Sequence, residues 1–375
     1  MIAKWFKQLS LLATVSLIAS AAHATPITAV LNGYDLVKVG NPNNAAQSGA
    51  GVNQNGYGAV TTDFWIGKNK VTIGQYTEFL NAVAKTNNRG LYNANMNTDQ
   101  RIRGIEQTGT DGAFVYTVVG PNGTNPAGAT SPANRPITFV SWFDSARFAN
   151  WMANGKPTGA AGTTTTDNGA YNLGAATTGT APALNTTNPN TGAAPTFSIP
   201  TENQWYKAAY YSPVKVAGST PGYFLYGTQN DTAPGNGGTS AATALANKDL
   251  ANQANYRISN RYAVTGTTTV GSNQNFLTDV GAFTNTYSYY GAFDMSGNSL
   301  DWNNSLAVRG GSWSDNATNV SSTFRWVNAS NSENELIGFR LVSPVPEPAT
   351  LGIASVGALC ACGWRDLKRR RRART

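Results

Sequence analysis

Three patterns of apolar positions run along this chain. After Thr72 the apolar residues Tyr76, Phe79, Leu80 and Val83 return at helical spacing, the signature of an amphipathic helix with one face on a core. Ser141 opens a second such stretch, expected to end at Gly155, and Thr201 opens a third that carries Trp205, Ala208 and Ala209. Thr72 with Gln75 and Thr201 with Gln204 have capping-box spacing, and Asp144 takes the same place after Ser141, where it also favours the positive helix start. Alternating or short apolar runs predict strands over residues 63–66, 197–199, 307–309 and 339–342. Between them, residues 156–196 and 218–243 are dominated by small and polar residues without any period, and read as surface insertions. Few helices, short strands and much irregular chain predict an α+β fold over residues 25–344.

The remaining pattern is a long apolar run at each end. Lys4 and Lys7 precede an apolar stretch over residues 9–19, which ends in the small-x-small triplet Ala22-His23-Ala24. Residues 1–24 therefore read as a secretory signal peptide, cleaved after Ala24 by signal peptidase. At the other end Pro346, Glu347 and Pro348 precede a charge-free run over residues 349–364 and then a basic tail from Arg365 to Arg374. As a helix that run would reach about 24 Å, a little under the ~30 Å hydrocarbon core, with its basic side held in the cytoplasm. Both ends place the body outside the inner membrane.

Charge adds little to the body itself. The chain has 27 Lys+Arg and 19 Asp+Glu; setting aside the two leader lysines and the tail's seven basic residues and one aspartate leaves 18 of each. The basic character belongs to the ends, and nothing in the neutral body argues for nucleic acid. The side-chain inventory is more restrictive. The sole histidine is His23, and the two cysteines are Cys360 and Cys362, in the leader and the tail. The body can build no Ser-His-Asp triad, no Cys-His pair, no thiolate metal site and no disulfide. Carboxylates, amides, hydroxyls and aromatic faces remain. A glycosidase would need two facing carboxyl groups, and no such pair is signalled.

Six segments, in order, are KVTIGQYTEFLNAV, RPITFVSWFDSARFANWM, SIPTENQWYKAAYY, YGAFDMSGNSLDW, RGGSW and GFRLV, between Lys70 and Val342. Together they resemble the formylglycine-generating enzyme (sulfatase-modifying factor) family. The resemblance implies a modified C-type-lectin-like fold, rich in irregular loops and often calcium-bound. It also implies a copper-binding cysteine pair just after the RGGSW motif. Here Asp315 stands at the first of those positions, the second falls near Val320, and Leu300 replaces a family aromatic. Copper in the reactive form is therefore not expected.

By the same resemblance, calcium is expected at Asp294, Gly297, Ser299 and Asp301, and a second, weaker site at Asn255 and Tyr256, although residues 257–278 contain no Asp or Glu. Arg309, Ser312, Trp313 and Asp315 are the candidates to line a ligand groove. The competing reading makes the arginines structural forks and the tryptophans core residues. The C-terminal order of parts resembles the PEP-CTERM sorting signal of Gram-negative bacteria, which implies processing by an exosortase near Pro346-Glu347-Pro348 after transient membrane anchoring, and a final place on the cell surface or in the extracellular matrix. The functional expectation is a non-catalytic exported protein that binds a polysaccharide or surface protein. The alternative is an oxidase or other enzyme acting outside the inner membrane.

Overall fold

The computed structural model describes residues 25–48, 54–121, 131–216, 220–271 and 273–344. The leader with Ala24, and the sorting segment with Pro346, Glu347, Pro348, the apolar run 349–364 and the basic tail, lie outside the described residues. Among the described residues no helix is long and apolar enough to cross a membrane.

Two small sheets and three capped helices organise the chain. The first sheet is antiparallel, in the order β1 (Thr28–Leu31), β2 (Tyr34–Val39), β3 (Phe64–Gly67), β14 (Val342–Pro344). It joins the two ends of the described chain, with Val37 and Val342 both opposite Ile66. The second sheet runs β12 (Trp326–Val327), β11 (Ala307–Arg309), β10 (Leu300–Trp302), β13 (Ile337–Gly338), and only β10 and β13 are parallel. Three separate hairpins complete the strands: β4 (Ile105–Thr108) with β5 (Val115–Val118), β6 (Tyr211–Val216) with β7 (Thr220–Tyr223), and β8 (Arg257–Ile258) with β9 (Arg261–Tyr262).

The helices are α1 (Ile73–Val83), the one-turn α2 (Asn95–Thr98), α3 (Trp142–Ala153) and α4 (Glu202–Tyr210). All three long helices start with the capping box that the sequence predicts. Gln75 N donates to Thr72 Oγ1 at 3.2 Å, Asp144 N to Ser141 Oγ at 3.1 Å, and Gln204 N to Thr201 Oγ1 at 3.1 Å. Each such cap contributes on the order of 1 kcal/mol. Tyr76 and Phe79 of α1 meet Phe148 and Trp151 of α3 at centroid distances of 5.3–6.0 Å, and Phe339 closes the cluster against Phe148 at 5.4 Å. This aromatic core fixes the two helices and draws the 338–342 motif onto them.

Three expectations need correction. Residues 197–199 form no strand; Ser198 makes a single bridge to Val342. The 339–342 strand is split into β13 and β14, because Phe339 and Leu341 turn into the core between them. The 156–196 stretch is not a surface insertion throughout. All of α3 is buried, polar residues included, so those residues need partners. Asn150 Nδ2 donates to the Thr166 and Tyr171 carbonyls at 2.8 and 2.9 Å, and Arg147 Nε lies 3.3 Å from Asp167. The loop covers the helix by hydrogen bonding, which leaves no apolar period in its sequence.

Candidate functional site

The residues singled out by the sequence meet where β10, β11 and the 294–299 turn pack together. Asp301, in the middle of β10, is fully buried. Its Oδ1 lies 3.0 Å from Lys70 Nζ, and its Oδ2 accepts from Arg340 Nε at 2.8 Å and from Trp205 Nε1 at 3.0 Å. Burial opposes ionisation, but Arg340 and Lys70 outweigh it and hold the carboxyl below its ordinary range. Burial pushes the Lys70 ammonium down to about 8 against the pull of Asp301. Asp294 has a left-handed backbone (φ 54°), and its Oδ2 accepts from the Gly281 N–H at 2.8 Å. Burial raises its carboxyl, opposed by that hydrogen bond and by Lys70.

Gly297 (φ +86°) is pressed against the Asn255 carbonyl: a Cβ there would lie 2.4 Å from that oxygen. The Asn255 carbonyl accepts from Asn298 N at 2.8 Å, and the Asn255 amide donates to Phe276 O at 2.9 Å and to Asn298 Oδ1 at 3.2 Å. Asn298 Nδ2 donates in turn to Thr278 O. Asn255 and Gly297 are thus brought together, but by close packing and by the hydrogen bonds between Asn255 and Asn298. Tyr256 points elsewhere and donates its hydroxyl to Pro234 O. Ser299 Oγ is buried and has no hydrogen-bond partner among the described residues.

These positions do not fit the calcium set that was expected. Calcium asks for six to eight available oxygens, and Asp301 has spent its carboxylate on two fixed cations and an indole N–H. A third cation there would meet Lys70 and Arg340 at close range. Asp294 and Asp301 therefore do not fit a calcium ligand pair.

The groove candidates are also committed. Arg309 is fully buried: Nε donates to Glu202 Oε1 at 2.7 Å, Nη1 to Phe324 O at 3.0 Å, and the guanidinium stacks over Tyr57 and Tyr206 at 4.6 and 4.9 Å. Arg325 grips the same carboxylate, Nε to Oε1 at 2.8 Å and Nη2 to Oε2 at 3.0 Å. Burial works against ionisation of Glu202, yet the Arg325 hydrogen bonds and the Arg309 charge keep its carboxyl below the ordinary range. Ser312 donates both N–H and Oγ–H to Asp315 Oδ2, at 2.8 and 2.6 Å, and Asn319 Nδ2 holds Oδ1 at 2.9 Å. Trp313 is stacked on Phe276 at 4.9 Å inside the core. Val320 is buried beside Tyr226 and Tyr256. The 309–320 segment is a self-satisfied turn, and its groove role is not supported by this packing. Sequence reasoning missed Glu202, whose partners lie about a hundred residues away and leave no local signal, and Asn298, which supplies the amide that closes the turn.

A sequence profile of the sulfatase-modifying factor enzyme 1-like domain matches residues 36–345. No curated protein matches the chain. Among solved structures, variable protein 1 of Treponema denticola is 16% identical, with 86% of this chain and 100% of that chain covered and a TM-score of 0.45. CarF is 20% identical over 84% of this chain and 100% of its own, with a TM-score of 0.42. PvdO from Pseudomonas aeruginosa is 14% identical over 86% and 98%, with a TM-score of 0.38.

Proposed function

Because the chain belongs to the sulfatase-modifying factor enzyme 1-like family and has that family's loop-rich α+β fold, we propose that it keeps the scaffold and has exchanged oxidation for binding. One observation carries this reading: between the leader and the tail there is no cysteine and no histidine. Oxidation of a cysteine by oxygen through copper needs soft thiolate ligands. Where the family's pair would stand, this chain has Asp315, tied to Ser312 and Asn319, and Val320, packed into a small apolar cluster. Neither can supply sulfur, and neither is free to move toward a metal without breaking its contacts.

The protein is read as exported, cleaved after Ala24 by signal peptidase, and sorted through Pro346-Glu347-Pro348 and the apolar run 349–364 by an exosortase to the cell surface. Its ligand is a polysaccharide of that surroundings. An amide-rich, hydroxyl-rich and nearly charge-balanced body suits sugar hydroxyls better than phosphate. A glycan array probed with the full chain tests this. Retention on a defined subset of polysaccharides is expected; no retention on any acidic or neutral glycan would contradict it.

A further inference from the structure

We infer that the concave pocket beside the β8–β9 hairpin binds an oxyanion-bearing sugar unit, a carboxylate or sulfate on a glycan, through Arg261. This assignment rests on the polysaccharide-binding reading above and adds where and by what chemistry the ligand is held.

The pocket encloses about 410 Å³, within the ~300–1,000 Å³ range of small-ligand sites. Its polar lining consists of Asn236, Thr239, Asn247, Gln253, Ser259 and Arg261, and it contains no acidic residue. Arg261 is therefore its one charged group. The guanidinium is exposed and donates to the Gly266 carbonyl at 3.1 Å, and among the described residues it has no carboxylate partner. It differs in this from Arg89, Arg101, Arg147, Arg309, Arg325 and Arg340, each of which is paired with Asp or Glu. Residues 250–278 around it contain no Asp or Glu either. An arginine fork in an acid-free pocket presents several parallel N–H donors to a planar carboxylate or a sulfate.

The register fixes the direction. Ile258 and Arg261 are directly opposite each other in the hairpin, so their side chains share a face, and both line the pocket. Ile258 and Leu250 give it an apolar edge against which a sugar ring can lie. The Asn247 amide and the Ser259 hydroxyl are exposed and make no hydrogen bond within the described chain, so they are available to sugar hydroxyls.

The walls are held before any ligand arrives. Asn236 Nδ2 donates to the Arg261 carbonyl at 3.1 Å and ties the hairpin to the facing loop. Gln253 Oε1 accepts from Gly237 N at 3.0 Å, and Asn247 N donates to Gly237 O at 2.7 Å. Preorganised walls reduce the ordering cost of binding. The other large concavities lack this chemistry. The one lined by Asp63, Tyr171 and Leu184 has an acid as its charged group, and in the one lined by Tyr211 and Tyr223 the cation, Lys215, is neutralised by Asp231 at 2.8 Å.

The test is calorimetric titration of the full chain with three probes: oligogalacturonate, dextran sulfate oligomers and uncharged dextran. Arg261→Ala, Arg261→Lys and the remote control Lys85→Ala are compared with the parent, after circular dichroism has matched each variant to it. Binding of the carboxylated or the sulfated probe, weakened at least tenfold in Arg261→Ala, partly restored in Arg261→Lys and unchanged in Lys85→Ala, is the expected result. Which of the two charged probes binds identifies the oxyanion. Equal weakening by Lys85→Ala, or binding indifferent to Arg261, would overturn the assignment. Binding of uncharged dextran alone would overturn the assignment while leaving the polysaccharide-binding reading intact, and binding of no probe, with an array also blank, would sink both.

Discussion

Lys70 Nζ and Asp301 Oδ1 lie 3.0 Å apart with both side chains fully buried, and Arg340 contacts the other oxygen of the same carboxylate. One anion thus answers two cations in a site closed to water. Asp301→Asn leaves both cations without a counter-charge and is expected to cost about 3–5 kcal/mol. Urea unfolding followed by tryptophan fluorescence checks this as a fall in midpoint at constant slope. The surface pair of Lys38 and Asp63, 2.9 Å apart and partly exposed, sets the scale: Lys38→Ala should cost no more than about 1 kcal/mol.

Asp144 gives a pH dependence of the opposite kind from a surface carboxylate. Burial, followed by the charge of Glu333, pushes its carboxyl up to about 7 in the folded chain, against about 3.9 when unfolded. Between those values the unfolded chain has lost a proton that the folded chain keeps, so this group's contribution to stability falls as pH rises from about 4 to about 7. Above that window both states are charged and the folded state bears the full cost of a buried carboxylate. Asp144→Asn should flatten the stability curve over this window, as measured by thermal melts at a series of pH values.

Two glycines with the same backbone conformation separate strain from contact. Gly155 (φ +80°) has open space where a Cβ would go, whereas at Gly297 (φ +86°) a Cβ would lie 2.4 Å from the Asn255 carbonyl oxygen. Gly155→Ala carries only the left-handed penalty, about 1–2 kcal/mol. Gly297→Ala adds a backbone clash and should lose a further ~1–3 kcal/mol. Equal midpoints for the two variants would show that the 297 turn is looser than its packing implies.

Since Asp301 is spent on Lys70 and Arg340, removing divalent ions should leave the fold unchanged. The melting temperature in EDTA and in millimolar calcium is expected to agree within experimental scatter. A calcium-dependent rise of several degrees would mean that an ion competes successfully for those oxygens.

Much of the fold was legible because its signals are local. Thr72–Gln75, Ser141–Asp144 and Thr201–Gln204 each place a cap and its reciprocal partner within four residues. The β1–β2 hairpin was missed although Asn32-Gly33 forms its tip with positive φ at both residues, a strong hairpin signal. The burial of residues 165–171 within the loop could not be read, because Asp167 becomes a core residue only when Arg89 and Arg147 reach it from elsewhere. The candidate site suffered from the same limit. Asp301 looks like a free ligand in its own motif, and its partners lie 231 residues before it and 39 after it, as Lys70 and Arg340. The acid-free 257–278 stretch is visible in the sequence, but nothing local shows that it surrounds an exposed arginine in a pocket.

On the proposed reading, a family scaffold without body cysteines has left oxidation behind. The most direct measurement is intact-mass spectrometry of a cysteine-containing sulfatase peptide after incubation with the full chain, copper and oxygen. An unchanged peptide mass is the predicted result, and conversion of its cysteine to formylglycine would contradict the account.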